Sequence, residues 1–123
     1  MKGILIVDDQ QGIRMLLHEV FKKEGFTTYL AANGFDAIKI AQENTLDCVL
    51  LDMKIPGMDG LEILARLKKD QPELPVMMMT AYVEQHMMDT ANELGAIKYF
   101  TKPFNIFEVR DEVNKLVQKA EKI

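Results

Sequence analysis

Basic charge is in short supply in this 123-residue chain: 15 lysines and arginines stand against 19 aspartates and glutamates, a formal net charge of -4. Without a basic footprint to neutralise phosphates, nucleic acid is not an expected partner. Long apolar runs are missing as well. The N-terminal stretch Met1 to Val7 is apolar for only a few residues before Asp8 and Asp9, far short of a signal h-region or a membrane span. A cytosolic protein with no membrane contact is expected. The one cysteine, Cys48, excludes an internal disulfide, and its setting in Cys48-Val49-Leu50-Leu51 reads as a buried thiol with no redox role. No internal repeat, low-complexity tract or linker breaks the chain. With 48% hydrophobic residues it suits a single well-buried core, so one domain over 1–123 with no output domain is the expectation.

What is present is an alternation of short apolar runs with longer stretches of helical period, the signature of βα units around a parallel sheet. The first unit pairs a strand near Gly3 to Val7 with a helix from about Gln11 to Glu24, apolar at Ile13, Leu16, Leu17, Val20 and Phe21 and ended by Gly25. In the second, Thr27 to Leu30 is a strand and Asn33 caps a helix bearing Ala37, Ile38 and Ala41. The third joins Cys48 to Leu51 with a helix from Gly60 to Lys69, and the fourth joins Val76 to Met79 with a helix carrying Met87, Met88, Ala91 and Leu94. Ile97 to Phe100 and a last helix with Val109, Val113, Leu116 and Val117 complete five units. Strands one, three and four are unbroken apolar runs and read as central, whereas two and five mix in polar residues and read as edges. That predicts a doubly wound (βα)5 fold of the flavodoxin-like kind with strand order 2-1-3-4-5.

In such a sheet the residues just after the strands share one edge. They are Asp8 and Asp9, then Asp52, Thr80 and, shortly after the fifth strand, Lys102; the second strand, beyond the switch point, is followed only by Ala31 and Ala32. Three clustered carboxylates repel one another, and a hard divalent cation relieves that repulsion. Mg²⁺ suits a site of few carboxylates, waters and an incoming phosphoryl oxygen. A carboxylate is also a nucleophile toward phosphorus, and the charge of a transferred phosphoryl group calls for positioned cations and donors, which Lys102 and the Thr80 hydroxyl supply. Taken singly, each residue has a plainer reading: Asp8 or Asp9 as a helix cap, Asp52 as a loop carboxylate, Thr80 as a cap, Lys102 as a solvated charge. The convergence of all five is what the plain readings leave unexplained. His18 and His86 fall on helices away from this edge and read as surface residues, and the nine methionines read as core filling.

The motifs Ile4-Leu5-Ile6-Val7-Asp8-Asp9, Leu50-Leu51-Asp52-Met53-Lys54-Ile55-Pro56-Gly57-Met58-Asp59-Gly60, Met79-Thr80-Ala81 and Lys102-Pro103-Phe104 resemble the response-regulator receiver family, in order and at its spacing, over essentially the full chain. The resemblance implies Asp52 as phosphoacceptor, and Asp8, Asp9 and Asp52 as Mg²⁺ ligands together with the backbone carbonyl of Lys54. It further implies Thr80 and Lys102 as phosphoryl contacts, Tyr99 as a switch aromatic, and a cis Lys102-Pro103 bond. A closer likeness, through Val7-Asp8-Asp9-Gln10-Gln11-Gly12-Ile13-Arg14, Glu19-Val20-Phe21-Lys22-Lys23-Glu24-Gly25 and Thr80-Ala81-Tyr82, is to the free-standing receivers of the sporulation phosphorelay, which carry His where Tyr99 stands here. That likeness implies a monomer that is an enzyme only in the narrow sense of a phosphoryl carrier. Its implied partners are a sensor histidine kinase, a histidine phosphotransferase and an aspartyl-phosphate phosphatase.

The partner surface is expected on the first helix and the loop after the fifth strand, through Gln10, Gly12, Ile13, Tyr82, Tyr99, Pro103 and Phe104. Lys54 and Tyr82, two residues after Asp52 and Thr80, should border the attacking water without orienting it, which predicts slow hydrolysis of an aspartyl phosphate. The alternative to a carrier is a diffusible switch, like the chemotaxis response regulator, that binds a target when phosphorylated. A metal-dependent hydrolase or flavin-binding domain of the same topology fits less well, because Asp8 and Asp9 stand where a flavin phosphate would need a Ser/Thr/Gly-rich loop.

Overall fold

The structure, a computed structural model, describes residues 2–81 and 84–121. Five βα units follow one another: β1 (Gly3–Val7), α1 (Gln11–Lys23), β2 (Thr27–Ala31), α2 (Gly34–Glu43), β3 (Cys48–Asp52), α3 (Gly60–Asp70), β4 (Val76–Thr80), α4 (Gln85–Glu93), β5 (Lys98–Thr101) and α5 (Ile106–Glu121). The strands are all parallel, in the order β2-β1-β3-β4-β5. The expected central and edge strands are therefore the observed ones.

Side chains alternate faces along a strand, and here both faces are covered. Leu5 and Val7 of β1, Val49 and Leu51 of β3 and Val76 and Met78 of β4 pack with α2, α3 and α4 residues such as Ala37, Leu64 and Ala91. Ile4, Ile6, Cys48, Leu50, Met77 and Met79 point the other way, onto Leu17 and Phe21 of α1 and Val109, Val113 and Val117 of α5. Two hydrophobic layers thus clamp the sheet and hold its ends in fixed register.

Element ends differ from the sequence expectation by a residue or so. β3 and β4 each run one residue further, because Asp52 pairs with Met79 and Thr80 with Thr101 in the ladder. β5 begins at Lys98 rather than Ile97, which is exposed although its N–H donates to the Val76 carbonyl at 3.0 Å. Leu16 does not join the buried stripe of α1: it precedes Leu17 by one residue, about 100° around the helix, and remains 47% exposed while Leu17 and Phe21 are fully covered. Asn33 does cap α2, its side chain accepting from the Asp36 N–H at 2.9 Å, and Asp59 does the same for α3 from Glu62 at 3.0 Å. Gly25 and Gly95, at φ of 90° and 102°, supply the left-handed turns that end α1 and α4.

Candidate functional site

The carboxyl edge of the sheet gathers side chains that are remote in sequence. Asp8 is the first residue past β1, Asp52 and Thr80 are the last residues of β3 and β4, and Lys102 is the first past β5. Asp8, Asp52 and Thr80 are buried at 0%, 5% and 2% exposure, whereas Asp9 is exposed. One oxygen from each of Asp8, Asp9 and Asp52 lies within 4.8 Å of the others. Asp9 and Asp52 open onto a cleft of about 520 Å³ whose walls also include Gln10, Ile13, Lys54, Lys102 and Pro103.

Lys102 ties the cluster together. Its Nζ donates to Asp8 Oδ2 at 2.7 Å and to Asp52 Oδ2 at 3.2 Å, with Gln10 Oε1 at 3.4 Å. Its backbone N–H donates to the Thr80 carbonyl at 2.7 Å, which anchors the start of the loop leading into the cis Lys102-Pro103 bond. The other Asp52 oxygen accepts from the Lys54 N–H at 3.3 Å, and Asp8 Oδ1 accepts from the Gln10 N–H at 2.9 Å. Gly60 makes this packing possible on the α3 side: a Cβ there would lie 2.6–2.7 Å from the Asp52 carbonyl and from the Met53 Cα and carbonyl. Only a glycine lets α3 begin so close to the acidic loop.

Burial pushes the Asp52 carboxyl above the ordinary aspartate value, and the charge of Asp8 pushes it further; Lys102 and the Lys54 N–H oppose both without cancelling them. Burial alone would weaken the Lys102 ammonium, yet the hydrogen bond to Asp8 and the charges of Asp52 and Asp8 outweigh it and raise its value. The ammonium therefore stays charged where it bridges two carboxylates. The arrangement has a nucleophilic oxygen on Asp52, a cation beside it, and oxygen donors of the hard kind.

None of the plain alternatives describes these residues. The N-cap of α1 is Gln10 and that of α4 is Glu84, neither with a side-chain capping bond, so Asp8, Asp9 and Thr80 are not caps. Lys102 is a bridging cation with a largely covered side chain. Ile13 is half-buried on the cleft wall, Gly12 is exposed with open space around it, and Phe104 is half-buried behind the exposed Pro103. Tyr99 is half-buried against α4, where its hydroxyl donates to the Met88 carbonyl at 2.7 Å; burial and the Asp89 charge raise its pKa. Tyr82 lies outside the described residues. His86 is exposed as expected, but His18 is a partial correction: it is half-buried, with Nδ1 bonded to the Thr28 hydroxyl, because its position on α1 faces β2.

One residue at the site stands in the motif Val7 to Arg14 but carries no readable role in the sequence. Arg14, on the second turn of α1, donates from Nη1 to the Asp8 carbonyl at 2.6 Å. A spacing of six residues across a loop and a helix start has no standard geometry, so only the folded chain shows it.

The family model of the response regulator receiver domain matches residues 4–114. Sporulation initiation phosphotransferase F of Bacillus subtilis strain 168 is 57% identical over 112 residues, spanning 91% of this chain and 90% of that protein. Among solved structures, a CheY-like response regulator receiver domain protein from Methanospirillum hungatei JF-1 superposes with a TM-score of 0.95 at 27% identity, covering 99% of this chain and 98% of that one. Response regulator protein TrrA from Thermotoga maritima, in complex with Mg²⁺-BeF, superposes with a TM-score of 0.84 at 36% identity, covering 94% and 99%.

Proposed function

The chain belongs to the response regulator receiver family, and on that premise we propose that it is a phosphorelay response regulator, a carrier that takes a phosphoryl group from a sensor kinase phosphohistidine onto Asp52 and hands it to a histidine phosphotransferase. The observation that carries this reading is the Asp52 carboxylate at a cleft open to solvent, with the Lys102 ammonium 3.2 Å away and two further carboxylates alongside. Its relay role, in sporulation initiation and in the cytosol, takes support from the likeness to phosphotransferase F.

The donor set fits Mg²⁺. Three carboxylate oxygens within 4.8 Å are hard ligands, and the upward push of Asp8 on Asp52 is the repulsion that a divalent cation removes. Asp8, Asp9 and Asp52, with the Lys54 carbonyl, would hold the ion, and TrrA, a receiver of the same fold, is described with Mg²⁺. Bound there, Mg²⁺ supplies positive charge to the phosphoryl oxygens.

The chain's own residues do the rest. An Asp52 oxygen attacks phosphorus, a P–O bond forms, the P–N bond breaks, and its electron pair stays on the leaving imidazole nitrogen. The imidazole leaves neutral when its other nitrogen carries the proton. Lys102, already poised between Asp8 and Asp52, neutralises charge on the arriving oxygens, and the buried Thr80 hydroxyl donates to another. Handing the group on reverses these steps.

Asp52→Asn is close to isosteric, so it should keep the circular dichroism spectrum and lose all acceptance of label from phosphorylated kinase or a small phosphodonor. Labelling at the wild-type rate would remove Asp52 from the role. Mixing the labelled wild-type protein with a panel of histidine phosphotransferases should drain the label. Retention with every member would overturn the carrier in favour of a switch.

A further inference from the structure

We propose that Arg14 is a positioning residue that holds the Asp8–Asp9 peptide in the orientation Mg²⁺ binding requires; this rests on the metal-site reading above. Asp8 is the first residue to leave the sheet. Its N–H still donates to the Ala31 carbonyl at 3.1 Å, as though β1 continued, and both side-chain oxygens are held, Oδ1 by the Gln10 N–H and Oδ2 by Lys102. Its carbonyl lies beyond the paired register of β1, which ends at Val7 against both Ala31 and Leu51. That carbonyl accepts from Arg14 Nη1 at 2.6 Å.

The position of this bond gives it leverage. A carbonyl oxygen shares a rigid plane with the next residue's N–H and Cα. Whatever fixes the Asp8 carbonyl therefore fixes the position of the Asp9 Cα, the point from which its side chain reaches the cluster. Asp8 and Asp52 are buried and braced by Lys102, but Asp9 is the exposed member of the cluster. Its approach to the other two depends on the backbone that leads to it. Arg14 is well placed to act as that brace, because its own N–H donates to the Gln10 carbonyl at 3.1 Å and so ties it to the first turn of α1. A bond from a guanidinium is also stronger than one from a neutral donor.

The charge of Arg14 and its hydrogen bond push Mg²⁺ affinity in opposite directions, and this separates the proposal from a simple field effect. If the guanidinium acted only as a nearby positive charge, removing it would tighten Mg²⁺ binding. If it holds the peptide, removing it loosens binding. The test is Mg²⁺ titration of the unphosphorylated protein by calorimetry, on wild type, Arg14→Met, Arg14→Lys and Asp9→Ala. Arg14→Met is expected to raise the Mg²⁺ Kd about tenfold, or ~1.4 kcal/mol, with Arg14→Lys recovering part of the loss because a donor is restored on a shorter, single-point head. In labelling by a small phosphodonor, the Mg²⁺ concentration giving half-maximal rate should rise by the same factor while the rate at saturating Mg²⁺ holds.

An unchanged or lower Kd in Arg14→Met, or Arg14→Lys no better than Arg14→Met, overturns the positioning role. If Asp9→Ala also leaves the Kd unchanged, the metal-site reading itself has failed; if Asp9→Ala weakens binding and Arg14→Met does not, the failure belongs to Arg14 alone.

Discussion

Replacing Lys102 by methionine keeps much of the side-chain volume and removes the charge that spans the acidic cluster. The Lys102 Nζ lies 2.7 Å from Asp8 Oδ2 and 3.2 Å from Asp52 Oδ2, with the lysine side chain 13% exposed and that of Asp8 fully covered. At an effective dielectric constant of about 20 these separations give gross attractions of ~6 and ~5 kcal/mol. Desolvation of the three groups consumes much of that, and removing one partner of a buried pair typically costs ~3–5 kcal/mol. Because Asp52 borders an open cleft, water recovers part of the loss there, so the expected destabilisation is about 2–3 kcal/mol without Mg²⁺. In thermal unfolding that is a drop of ~10 °C for a domain of this size. The variant leaves three carboxylates with no bridging ammonium, so Mg²⁺ should stabilise it more than it stabilises wild type, by ~1.4 kcal/mol for each tenfold gain in affinity. Phosphoryl transfer should be impaired even with Mg²⁺ saturating, since the cation that meets the incoming oxygens is gone. The assay is urea unfolding of both proteins, with and without millimolar Mg²⁺, alongside label uptake from a small donor. A loss under 1 kcal/mol without Mg²⁺, or equal stabilisation of both proteins by Mg²⁺, would refute the bridging role.

Four further outcomes can be measured. Ile13→Ala trims the cleft wall without touching the acidic cluster, so it should slow transfer from a protein donor several-fold more than from a small phosphodonor, and equal slowing with both would place the defect in the site instead. Lys54→Asn puts an amide beside Asp52 on the cleft wall and should shorten the aspartyl phosphate lifetime about tenfold, ~1.4 kcal/mol of barrier; decay followed in Mg²⁺ buffer without partners tests it, and an unchanged or longer lifetime counts against it. Burial pushes the Cys48 thiol up to about 12, so native-state alkylation at pH 8 should be slow and should track unfolding rather than thiolate concentration. An unfolded chain ionises this thiol first, so Cys48 contributes stability in full below the ordinary thiol value and loses it as pH rises from there toward about 12. Changing Cys48→Ala should flatten that part of the stability curve measured by urea unfolding, and an identical curve would remove the thiol as its cause.

Much of this was legible along the chain, for a reason that can be stated residue by residue. Ile4 to Val7, Cys48 to Leu51 and Val76 to Met79 are apolar without alternation because both faces of a central parallel strand are covered, and the structure buries all of them. Asp8, Asp52 and Thr80 were recognisable as a set because each stands where such a run stops, with Lys102 shortly after the fifth strand, and a parallel sheet brings those strand ends to one edge. Periodicity and strand ends are local properties, carried by a few neighbouring residues, so they survive in the bare sequence.

Tertiary structure decided what depends on orientation and on distant partners. Leu16 fits the helical template as well as Leu17 does, and only the placement of α1 against β1 and β2 leaves one exposed and the other covered. His18 gained a partner in Thr28 because α1 lies on the neighbouring strand. The bridge from Lys102 to Asp8 joins residues 94 apart, and the Arg14 bond to the Asp8 carbonyl crosses a loop to a backbone atom. A backbone carbonyl is present at every residue and leaves no mark in the sequence, so which one an arginine finds is settled only when the sheet, the loop and the helix are in place together.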